Sequence, residues 1–161
     1  MRGLIVVLLL AATSGAVAAA GSNIFMTNCA MCHQPGGQGV PGVYPPLKDS
    51  VGRYVGVPAG RTYLAHVVSF GMTGTLSSQG QTYNGFMQPW MQLSDADIAE
   101  VLNHVLLDFN ASLLPKDFVQ FTAEEVNRLR AKALTVAEVR SEREALMKLL
   151  APATADDAPR R

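Results

Sequence analysis

Cys29-Ala30-Met31-Cys32-His33 holds both cysteines of the 161-residue chain. A Cys-x-x-Cys-His run is the attachment signal for haem c. Two thiols three residues apart on one helical side can each form a thioether to a haem vinyl group, and the next residue then presents its imidazole to the iron. The same five residues have rival readings. A zinc site takes four protein ligands, and there is no second Cys pair. A thioredoxin-like dithiol belongs to a strand–helix unit of a parallel sheet, for which no pattern exists here. A local disulfide would leave His33 without a role. The reading favoured is one covalent haem c, with Cys29 and Cys32 as thioether donors and His33 as an iron ligand.

The residues before the motif set the compartment. Arg2 supplies a positive start, Leu4 to Ala12 a short apolar run, and Ala18 and Ala20 the small-x-small pair of a cleavage site. The run is shorter than the ~20 apolar residues that a membrane span needs. Residues 1–20 therefore read as a signal peptide whose removal leaves Gly21 first, puts the mature chain in a bacterial periplasm and leaves no stable membrane span. Thiols oxidise readily there.

Charge is unevenly spread. From Gly21 to Leu107 there are three basic residues (Lys48, Arg53, Arg61) and four acidic ones, whereas Asp108 to Arg161 carries nine of each. Such a shift marks a module boundary, giving an expected division into signal (1–20), haem domain (21–110) and C-terminal helical extension with a loose end (111–161). No basic stripe is present, so nucleic acid is not an expected partner.

Helices are expected over about 22–32, 61–70, 94–106, 122–133 and 135–150. Ser94 with Asp97 forms a capping box, and Ile98, Val101, Leu102, Val105 and Leu106 mark one apolar stripe. Thr122 with Glu125 and Thr135 with Glu138 repeat the start signal in the tail. Between His33 and Arg61 a Gly- and Pro-rich loop has the length of a functional one. No segment reads as part of a sheet, so the expected fold class is all-α.

A haem iron needs a sixth ligand or stays open. His66 and His104 fall within helices, while Met72, Met87 and Met91 fall in loops. Met87 stands in Tyr83-Asn84-Gly85-Phe86-Met87-Gln88-Pro89-Trp90, an aromatic-rich turn suited to covering a haem face, with Met91 as near rival. Phe86, Trp90, Met31 and Val40 are candidate apolar surroundings of the exposed haem edge, with Trp90 expected to be at least partly buried.

Residues 21–107 resemble a class I cytochrome c domain. Gly21 and Phe25 match the family's N-terminal helix contacts, and Val101 and His104 fall where its C-terminal helix packs against them, with His104 replacing the usual aromatic. Pro45 and Leu47 match a family pair after the haem histidine. The resemblance implies that the Pro45 carbonyl accepts a hydrogen bond from Nδ1 of His33, which fixes its tautomer. Gln81 to Met87 is similar to the axial-methionine loop of bacterial monohaem cytochromes that serve periplasmic dehydrogenases, although Gln88 separates Met87 from the usual proline. The resemblance implies His33/Met87 ligation and the class I fold wrapped round one haem, with a helical extension behind it.

With both axial positions filled, no site stays open for a substrate. The expected function is a one-electron carrier, not an enzyme, accepting electrons from a periplasmic dehydrogenase and passing them to a downstream cytochrome or terminal oxidase. The alternative is a haem-based sensor or small haem catalyst with a displaceable sixth ligand. Residues 21–107 hold all the family's contacts, so the tail is expected to serve as surface cover or in partner docking.

Overall fold

Apolar stripes and caps decide where the helices form. The structure, a computed structural model, describes residues 14–151, with side chains from residue 20 onward. Most of the expected signal peptide, and the expected loose end beyond residue 151, lie outside the described residues. Helix α1 (Ser14–Asn28) ends just before Cys29, and one short turn, α2 (Ala30–His33), carries the rest of the motif. The expected helix over 22–32 is thus interrupted at Cys29, whose carbonyl accepts the His33 N–H at 2.9 Å.

Helix α4 (Asp95–Phe109) has the expected capping box, with Ser94 accepting from the Asp97 N–H and Asp97 reaching back to the Ser94 N–H. It crosses α1 closely. A β-carbon at Gly21 would strike the Glu100 carbonyl, so only glycine allows this approach. One turn on, Phe25 is fully buried, its ring 5.4 Å from His104 and 5.1 Å from Phe109. His104 keeps the aromatic contact expected of its position while its Nδ1 meets Asp108.

The Gly- and Pro-rich loop leads through a 3₁₀ turn (Gly52–Gly56) into helix α3 (Pro58–Phe70), which starts earlier than expected because Pro58 is tolerated in the first turn. Asn110 ties this loop to the end of α4. Its Oδ1 accepts from the Ser50 and Gly52 N–H groups, and its Nδ2 donates to the Leu47 and Val105 carbonyls.

The expectation of no sheet is overturned at residues 72–87. Strands β1 (Met72–Ser78) and β2 (Gln81–Met87) pair antiparallel, Met72 opposite Met87 and Ser78 opposite Gln81. The two-residue turn has positive φ at Gln79 (48°) and Gly80 (76°), the conformation that matches strand twist. Glutamine at the first turn position, where Asn or Asp is usual, hid the turn. The strands also carry too many polar residues for an apolar alternation to be visible.

Beyond α4 the chain returns over its own core. Helices α5 (Ala123–Leu129) and α6 (Val136–Leu150) start at the expected caps, Thr122 and Thr135. Phe121, Val126, Val139 and Leu146 lie in the same apolar cluster as Phe25, Leu64, Ile98 and Leu106. Helix α5 packs on α4, and α6 packs on α3 and β1. Polar bonds hold this closure. Asn103 exchanges two bonds with the Phe121 backbone (2.7 and 2.9 Å), and Arg61 pairs with Glu125 while lying over the Phe121 ring. His66 lies between the Glu142 carboxylate (2.8 Å) and the Leu129 carbonyl (2.7 Å). The tail is therefore part of the core, not the surface cover expected of it.

Candidate functional site

Cys29, Cys32 and His33 share the wall of one cavity of about 300 Å³, within the range of small-molecule sites. Pro45, Phe86, Met87 and Trp90 line it too, as does Met31, whereas Val40, expected at the haem edge, is not part of the wall. The wall is mostly apolar, with Leu64, Val68, Val101, Leu102 and Val105 contributed by α3 and α4.

The histidine is held in one tautomer. His33 is buried, and its Nδ1 donates to the Pro45 carbonyl at 2.9 Å, which leaves Nε2 with its lone pair free to ligate. Burial pushes its pKa down, with the Pro45 bond acting the other way, so the neutral ligating form is favoured. Both cysteines are free and part-buried. Burial, and then the neighbouring Cys32, push the Cys29 thiol up to about 11. A dithiol redox centre needs the opposite, a thiol lowered towards neutrality. A zinc centre finds no support either, since no group of three or more His, Cys, Asp or Glu is poised for a metal among the described residues.

The three methionines separate. Met91 is 61% exposed and away from the cavity wall. Met72 lines the cavity, but its sulfur accepts the Tyr63 O–H at 3.7 Å. Met87 also lines the cavity, half-buried at the end of β2. Trp90 is partly buried, as expected, and its backbone N–H donates to the Val68 carbonyl. Phe86 and Met31 are 63% and 81% exposed at the cavity mouth.

Sequence reasoning missed the polar members of the wall. Ser50, Ser78, Tyr63 and Arg143 all line it. For Arg143 a signal existed: Val136, Val139, Arg143 and Leu146 recur at helical spacing, which puts a cation in the middle of an apolar stripe.

The cytochrome c family model matches residues 18–107, more than half of the chain. The chain belongs to the cytochrome c family. This cytochrome is 44% identical over 126 residues, 78% of its length and 95% of its relative's, to cytochrome c-552 of Thermus thermophilus. That span exceeds the family match and so takes in part of the tail. It is also 36% identical over 86 residues, 52% of its length but 17% of its relative's, to the cytochrome c subunit of the alcohol dehydrogenase (quinone) of Gluconobacter oxydans.

The cytochrome carries covalent haem c and transfers electrons, as its family does. Its own residues fit that group: two unpaired thiols and a tautomer-fixed imidazole border one apolar cavity. No helix among the described residues is long and apolar enough to cross a membrane.

Proposed function

We propose that the protein is an exported one-electron carrier whose haem sits in the 29–33 cavity between His33 and Met87. Residues 1–20 direct export and are removed, which leaves Gly21 as the first residue, already at its tight contact with Glu100. Cys29 and Cys32 hold the macrocycle, and His33 supplies the proximal nitrogen. The bound haem supplies a one-electron Fe(III)/Fe(II) couple.

The observation that carries the ligation is the separation of the methionines. Met91 is outside the cavity wall and the Met72 sulfur is engaged by Tyr63, whereas Met87 lines the cavity at the end of the hairpin. A thioether there favours Fe(II) and raises the potential. The donor class proposed is a periplasmic dehydrogenase. What supports it is the likeness to a dehydrogenase cytochrome c subunit together with the similarity of residues 81–87 to the methionine loop of such carriers. A downstream cytochrome or terminal oxidase accepts the electron.

Absorbance of the ferric protein tests the ligation. Met87→Ala is expected to abolish the thioether-to-iron charge-transfer band and lower the potential, while Met91→Ala and Met72→Ala keep the band. Loss of the band in Met91→Ala with its survival in Met87→Ala would assign the other methionine. A high-spin ferric spectrum of the unaltered protein would favour a sensor or catalyst instead.

A further inference from the structure

One buried charge lies outside the set of thiols, imidazole and thioether around the cavity. Helix α6 buries three residues, Val139, Arg143 and Leu146, and the middle one is 9% exposed. Arginine is almost never fully buried without a partner, because a guanidinium loses its hydration and cannot discharge by giving up a proton. The other described tail arginines all have carboxylates: Arg128 meets Glu124, Arg130 meets Asp95 and Arg140 meets Glu144. Among the described residues Arg143 meets none. Its Nη2 donates to the Ser77 carbonyl at 2.8 Å, and Tyr63 lies beside it. Both are neutral.

The surroundings of Arg143 carry no compensating charge. Arg143 lines the haem cavity, whose wall includes no Asp or Glu and no other Arg or Lys. Near it the wall turns polar. Ser77 and Ser78 are adjacent on β1, and the Ser78 hydroxyl meets that of Ser50 at 3.1 Å. A fixed cation in an acid-free cavity is complementary to an anion brought in by the occupant. Haem c has two anionic groups, its propionate carboxylates.

We propose that Arg143, delivered by the C-terminal extension, neutralises a haem propionate and so makes the extension part of the haem site. This rests on the reading that the haem fills the 29–33 cavity. Arg143 is then a positioning residue with an electrostatic effect on the iron. Its guanidinium keeps the carboxylate ionised in an apolar setting, and the fixed positive charge favours Fe(II) over Fe(III).

The test uses the full-length holoprotein and its midpoint potential across a pH series. R143Q is expected to keep its covalent haem and to lower the reduced-to-oxidised ratio at fixed ambient potential roughly tenfold, about 59 mV for one electron. The potential should also become pH-dependent, rising as pH falls, because a propionate without its cation takes up a proton more readily. R143K should restore the unaltered value in large part. R143Q with an unchanged potential and an unchanged pH profile would leave Arg143 a purely structural residue and overturn the proposal. A second measurement needs no variant. In infrared spectra of unaltered protein with ¹³C-labelled propionates, one carboxylate should stay ionised below the ordinary range of about 4. Two propionates protonating together within that range would also overturn it. Haem that leaves the unaltered protein on a denaturing gel would count instead against Cys29 and Cys32, so the two failures are separable.

Discussion

Ending the chain after Asn110 is expected to remove most of the protein's stability. The cut deletes Phe121, Val126, Val139 and Leu146, each at most 3% exposed. Full burial of such a side chain contributes about 1.5–3 kcal/mol, so the four together supply roughly 6–12 kcal/mol. A whole domain of this size is stable by about 5–15 kcal/mol. Polar losses add to this. Asn103 loses both partners on Phe121, and His66 loses Glu142 and Leu129. Each buried group left unpaired costs about 1–3 kcal/mol. The truncated chain should therefore fail to accumulate as a six-coordinate holoprotein, or should melt tens of degrees lower, at about 4–8 °C per kcal/mol for a domain of 60–100 residues. Haem staining, the thioether-to-iron band and thermal melts by circular dichroism measure this together. A truncated protein that keeps the band and melts within about 5 °C of the full chain would refute the claim that the tail belongs to the core.

Asn110→Ala removes four bonds to buried backbone and should destabilise the protein by about 3 kcal/mol or more in urea titration, with little change in the m-value. Met31 and Phe86 give the cavity mouth an apolar face, while Lys48, Arg53 and Arg61 cannot form a steering ring, and scattered charges are screened beyond about 8 Å at physiological salt. Electron transfer with the physiological partner should thus depend weakly on salt in stopped flow, and Phe86→Ala or Met31→Lys should slow it more than neutralising any one basic residue. A steep salt dependence would refute apolar docking.

The sequence disclosed the chemistry more completely than the architecture. Cys29, Cys32 and His33 were legible because thioether attachment leaves little freedom of spacing. Caps at Ser94, Thr122 and Thr135 were legible because a side chain that bonds its own N3 N–H is a local device. The hairpin was not, since Gln79 adopts a left-handed conformation that glutamine does not advertise and the strands carry mostly polar side chains. The tail's place in the core was not legible either. Its charge density describes the outward faces of α5 and α6, while the inward stripe of Val126, Val139 and Leu146 is interrupted by one charge, Arg143. Arg143 had a local signal, its place in an apolar stripe, but its charged neighbours in sequence masked it and only the fold shows the cavity wall around it.

The cavity has its covalent anchor near the start of the chain and its last wall near the end. Cys29 and Cys32 lie near one end of the described chain and Arg143 near the other. Contacts such as His66 with Glu142 join residues 76 apart in sequence, and loops of that length close late in folding. Haem attached to Cys29 and Cys32 before α6 docks would have its far wall completed only afterwards, by Arg143.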